Sequence, residues 1–213
     1  MARIIASEAD IRAGVRALRR KCPAMRQVHD VAGAPPLRRR PAGFEGLARI
    51  IVGQQLSVAS ASAIWERTAA VCRPFEPRIL LGLDDAQLAQ AGLSRPKIRT
   101  LRAIAGACRN GLDLARLEQA AEEEVHAALT EVTGIGPWTA DIYIMFCLGR
   151  ADAWAPGDLA LQIAAQQALG LAVRPGTDEM RALAERWRPW RAVAARLLWA
   201  YYAAVRQRKA VPV

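Results

Sequence analysis

The sequence predicts an all-α protein. From Phe44 onward nearly every segment repeats apolar residues at i, i+3 and i+4, and no segment alternates with period two for long enough to make a strand. The punctuation agrees: Ser57, Asp84, Asp158 and Thr177 stand where helices would be capped, and Gly82, Gly92, Gly111, Gly149 and Gly170 where they would stop. No internal repeat of solenoid length is present.

Taken in order, a first amphipathic helix is expected over residues 8 to 20, where Ile11, Val15 and Leu18 share a face among arginines. The stretch AGAPPLRRRPAG, 32 to 43, reads as an extended connector, and its triplet Arg38, Arg39 and Arg40 as a solvated elbow. Helical segments then follow as FEGLARIIVGQQ, SVASASAIWERTAAVC, DDAQLAQAGL, RPKIRTLRAIAGACRNG and EEEVHAALTEV. After a glycine turn come PWTADIYIMFCLG, DLALQIAAQQALG, TDEMRALAERW and PWRAVAARLLWAYYAAVRQ.

A chain of 213 residues with 53% hydrophobic content can bury one large core or two small ones. It has no uninterrupted apolar run of membrane-spanning length and no signal-peptide pattern, so a cytoplasmic, nucleoid-associated protein without membrane contact is expected. Lys and Arg number 30 against 20 Asp and Glu, a net charge of +10 that favours a polyanionic partner, nucleic acid first. Cys22, Cys72, Cys108 and Cys147 are scattered without C-x-x-C spacing, which disfavours a zinc site, a disulfide framework or an iron–sulfur cluster. His29, His126 and Asp141 read as structural or surface residues, and Trp65, Trp187 and Trp190 as packing.

Two short motifs carry chemistry. In LTEVTGIGPWTA, 129 to 140, Gly134 and Gly136 allow a sharp turn and Pro137 suits the first turn of the next helix, which makes a helix–hairpin–helix. Glycines lack Cβ atoms, so N–H groups at the new helix N-terminus can approach a phosphate closely. Further on, AWAPGDLALQ places Pro156 and Gly157 in a turn and Asp158 at a helix start. Such an Asp caps the helix, and the dipole keeps it ionised, able to stabilise a positive sugar or orient water.

With IIVGQQLSVASA upstream and ERWRPWRAVAARLLWAYY downstream, these motifs resemble the helix–hairpin–helix DNA glycosylase superfamily with its Gly-Pro-Asp element. The R-W-x-P-W-R stretch followed by a helical Trp is similar to the 3-methyladenine DNA glycosylase II branch, and the likeness covers roughly residues 41 to 205. The resemblance implies two helical lobes with a cleft: a central lobe, 44–150, carrying the hairpin, and a second lobe from 1–43 plus 151–213. It further implies a version of the branch without an N-terminal β-domain, acting as a monomer on double-stranded DNA that contains alkylated bases.

Roles follow from the same resemblance. Asp158 would be catalytic, and Trp138, Trp199, Tyr143 and Tyr202 would line the base pocket. An indole face attracts a cation, by on the order of 1–2 kcal/mol, which favours an N-methylated purine. Gly134, Ile135, Gly136 and Thr139 would meet DNA at the hairpin, Gln55, Leu56 and Ser57 at the loop that fills the emptied stack, and Arg95 and Lys97 at phosphates. Gln55 matches the wedge by position and Leu56 by chemistry, and the choice stays open. Lyase members keep a lysine where this chain has Trp138, so hydrolysis alone is expected, leaving an abasic site. No cofactor is required. A Na+ or K+ ion held by the main-chain carbonyls of Thr130, Val132 and Ile135 is optional. A glycosylase for deaminated, etheno or oxidised bases, or a non-catalytic hairpin module, remains as the alternative.

Overall fold

Small residues on one face of a long helix decide how the ends of this chain fold. The computed structural model describes residues 3–210. The residues up to Arg39 and those from Gly149 form one unit, and Arg40–Leu148 form the other. Among the described residues thirteen α-helices are present and no strand, beyond an isolated bridge between Ile4 and Arg150. None of these helices is long and apolar enough to cross a membrane.

The unit of the chain ends begins with α1 (Glu8–Lys21) and α2 (Pro23–Ala32). The α1 helix opens with a capping box between Ser7 and Asp10. The α2 helix was not expected, because only Met25 and Val28 mark its inner face, too few for a periodic signal.

The central unit contains α3 (Gly43–Gly53), α4 (Val58–Val71), α5 (Pro77–Gly82), α6 (Asp85–Gln90) and α7 (Arg95–Arg109). It continues with α8 (Leu114–Leu117), α9 (Glu122–Thr130) and α10 (Pro137–Phe146). Its core gathers Leu47, Ile51, Leu80, Leu88, Leu101 and Ile104, all essentially inaccessible. Each such side chain contributes roughly 1.5–3 kcal/mol by leaving water. Trp65 packs here against Phe75, as its apolar context implies.

The chain returns to the first unit with α11 (Leu159–Leu169), α12 (Thr177–Ala184) and α13 (Arg191–Ala210). Residues Ala192 to Leu198 of α13 are buried, and α2, α11 and α1 pack on them. At Gly14 a Cβ would lie 2.6 Å from Val193 Cγ2, so glycine is what lets α1 sit this close to α13. Trp187 and Trp154 meet edge to face beneath, with ring centroids 5.4 Å apart.

Two local expectations are corrected. Gly176, not Thr177, occupies the N-cap of α12, and its N–H donates to Glu179 Oε2 at 2.7 Å. The arginine triplet is more than a solvated elbow, since Arg39 donates to the Ile5 carbonyl at 3.3 Å. Buried Arg196 ties α13 to the connector by donating to the Leu37 carbonyl at 3.4 Å. Burial first, and then the charges of Arg39 and Arg38, pull its pKa down to about 10.

Candidate functional site

The hairpin of the central unit is built from two unlike glycines. Gly134 adopts φ +89, and a Cβ there would collide with the Thr100 side chain of α7, so no other residue fits. Gly136 has φ −93, which any residue can adopt, and open space where its Cβ would be. The fold therefore does not explain Gly136, whereas an approaching backbone would. Val132 O accepts the Ile135 N–H at 3.0 Å, and Ile135 is buried under the turn while Gly134 and Gly136 on either side of it are exposed. Pro137 opens α10 and brings no N–H, and the Thr139 and Ala140 N–H groups turn back to the Gly136 carbonyl at 3.0 and 3.2 Å, so this helix end favours an anion through its dipole. His126 and Asp141 pair at 3.6 Å, linking the two helices of the motif.

Thr139 does not belong to the exposed set. It is buried, and its hydroxyl accepts a hydrogen bond from Gln54 Nε2 at 2.9 Å. Tyr143 is likewise misplaced by sequence reasoning. It is wholly inaccessible and its hydroxyl accepts the Gly43 N–H at 2.9 Å, so it cannot line a base pocket. The α10 helix is apolar nearly all round, which hides from the sequence which of its faces turns inward. Trp138, in the first turn of α10, is half-buried.

Gln54 to Ser57 form the loop between α3 and α4. Gln55 is held in the left-handed region at φ +57, and Leu56 remains 38% exposed for an apolar side chain. Ser57 caps α4, its hydroxyl accepting the Ser60 N–H at 3.2 Å. Arg95 is exposed at the start of α7. Lys97 has an internal engagement that its sequence context did not signal, its ammonium donating to the carbonyls of Val52 at 2.7 Å and Gln54 at 2.9 Å. Burial lowers its pKa from the ordinary lysine value.

In the other unit, Asp158 caps α11, and its Oδ1 accepts the Leu161 N–H at 2.9 Å. The same oxygen accepts Trp199 Nε1–H from α13 at 3.1 Å. Gln162 Nε2, buried one turn on, holds the Pro156 carbonyl at 3.1 Å and so fixes the turn that leads into the acid. Two donors and a helix N-terminus thus orient a half-exposed carboxylate. The Trp199 bond was not foreseen, since 41 residues separate the partners. Tyr202 lies one turn along α13 with the Arg206 guanidinium 5.4 Å from its ring centroid.

Residues 48–189 match the family model of the HhH-GPD superfamily of base excision DNA repair proteins. The chain belongs to that superfamily. It is 30% identical to the alkylbase DNA glycosidase-like protein mag2 of Schizosaccharomyces pombe, over 74% of this chain and 77% of the relative. Among solved structures, it resembles a DNA-3-methyladenine glycosidase from Bacillus halodurans with 32% identity, a TM-score of 0.77 and 91% of each chain covered. A second likeness is to the 3-methyladenine DNA glycosylase Mag1 of S. pombe in complex with abasic DNA, with 27% identity and a TM-score of 0.74. That match covers 83% of this chain and 89% of the other. These relatives cover from 74% to 91% of the chain, and both the hairpin glycines and Asp158 fall inside the residues matched by the family model.

Proposed function

We propose that this HhH-GPD protein is a DNA glycosylase that excises alkylated purines of the 3-methyladenine and 7-methylguanine class from duplex DNA. The observation that carries this reading is the carboxylate of Asp158, held by a backbone N–H and an indole N–H at the start of α11. A carboxylate so placed can stabilise the positive charge that grows on the sugar as the glycosidic bond lengthens. An N-methylated purine is already cationic, so the bonding electrons leave with it and the released base is neutral. Water then adds its oxygen to the anomeric carbon and gives up a proton to Asp158 or to solvent, which leaves an abasic sugar.

The remaining residues support the physical steps. The hairpin main chain at Gly134 to Gly136 would hold a phosphate, and Gln55 and Leu56 would fill the space left when the base leaves the stack. The indoles of Trp138 and Trp199 each favour a cationic base over a neutral one. Position 138 carries no amine, so no Schiff base forms there and the reaction ends at hydrolysis. The carbonyls of Thr130, Val132 and Ile135 would hold a Na+ or K+ ion, for which Val132 O keeps a second lone pair beside its bond to Ile135, and the ion would supply positive charge beside a phosphate. The protein would act as a monomer.

The test is Asp158→Asn on methylated duplex DNA. Asn caps a helix about as well as Asp and still accepts from Trp199, so folding should survive. We expect base release to fall by about 100-fold or more, with duplex affinity and melting temperature little changed. Undiminished release would remove Asp158 from the chemistry. A complex trapped by borohydride would overturn the hydrolysis-only reading.

A further inference from the structure

We propose that Lys97 is a positioning residue for base extraction, which locks the Gln55–Leu56 loop to the same strut that supports the hairpin. The inference rests on the glycosylase reading above and concerns how its parts are held together. Lys97 lies in the first turn of α7, more than 40 residues from the loop, yet its ammonium binds the Val52 and Gln54 carbonyls at 2.7 and 2.9 Å. Those are among the last carbonyls of α3, acceptors that a helix C-terminus leaves without an internal partner, and a cation there also opposes the dipole. Burial disfavours the charge at this point, and carbonyl oxygens offset that cost where a solvated phosphate contact would not require it.

The loop needs such an anchor. Gln55 sits at φ +57, a conformation that costs a non-glycine residue about 1 kcal/mol or more and persists only where its surroundings fix it. Lys97 fixes the entry, the Ser57 cap fixes the exit, and Gln54 Nε2 reaches Thr139 in the first turn of α10. One turn beyond Lys97, Thr100 packs against Gly134 in the hairpin turn. A single helical turn, Lys97 to Thr100, therefore touches both the base of the exposed loop and the turn expected to seat a phosphate. A hairpin resting on the backbone would then set how far Gln55 and Leu56 reach toward the base stack.

The experiment compares wild type, Lys97→Met and Lys97→Arg on three readouts. A duplex with 2-aminopurine beside a tetrahydrofuran abasic analogue reports stack opening by fluorescence. Anisotropy on undamaged duplex reports backbone binding, and single-turnover release from methylated DNA reports chemistry. We expect Lys97→Met to lose about 10-fold in both fluorescence gain and release rate per folded molecule, with undamaged-duplex affinity within about twofold, and Lys97→Arg to recover most of the loss. A merely structural lysine would lower melting temperature without this split. Unchanged fluorescence and release in Lys97→Met would overturn the proposal. So would weaker duplex binding with a salt slope reduced by about one, which marks a phosphate contact. Should Lys97→Met fail to fold, Gln54→Ala, which removes only the Thr139 link, must show the same split or the proposal fails. Absence of base release by wild type would refute the glycosylase reading instead, and the fluorescence arm still tests the loop because it requires no chemistry.

Discussion

Tyr143 shows how one side chain separates packing from chemistry. Its hydroxyl is buried on the Gly43 N–H, and desolvation raises its pKa well above the ordinary 10.0, the Gly43 bond only partly opposing this. The folded state thus favours the neutral phenol, and that preference is fully present below pH 10 and lost as pH climbs beyond it, when the unfolded chain ionises first. Tyr143→Phe should cost about 1–3 kcal/mol at pH 8 by stranding the Gly43 amide, while leaving base release per folded molecule unchanged. Urea unfolding should find the gap to wild type narrower at pH 11 than at pH 8, and a wider gap would contradict a buried neutral phenol. Asp158 was legible from its turn residues alone, since Pro156, Gly157 and a helical run leave few other places for a cap. Its partner Trp199 was legible only as an aromatic, because the hydrogen bond depends on how α13 lies beside α11, a packing fact that local spacing does not encode.

At the scale of elements, the hairpin was the best-read part of the chain, and the reason is backbone geometry. Gly134 must be glycine on two counts, its positive φ and the Thr100 side chain against it. Gly134→Ala should destabilise the protein by about 1–3 kcal/mol through strain and collision, and should weaken binding to undamaged duplex. Gly136→Ala meets no such obstacle, so it should leave melting temperature nearly unchanged while still weakening duplex binding by obstructing close approach. Calorimetry and anisotropy on the pair would separate the two roles, and equal stability losses would contradict the distinction. What the sequence concealed lies between elements: Lys97 and Gln54 are polar residues on helix ends, a pattern that solvated faces share, and only their long-range partners reveal an internal brace.

For the molecule as a whole, the net charge of +10 makes ionic strength the main lever on DNA affinity. A plot of log affinity against log salt for undamaged duplex should slope at about −4 or steeper, a loss of roughly 10²-fold between 50 and 200 mM. A slope near zero would deny the basic surface a part in binding. The all-α class and the order of the helices were readable because capping residues and apolar periods recur throughout, whereas α2 was not, for want of apolar positions. The division of the chain has a further effect during synthesis. Helices α1 and α2 leave the ribosome before Arg40–Leu148, yet the helix they pack on, α13, is made after it. The central unit is complete as a sequence while its predecessor still lacks a core, so the hairpin can be folded before α13, which carries the Trp199 that holds Asp158, has emerged. The nascent chain would then hold a finished hairpin before Trp199 is in place to orient Asp158.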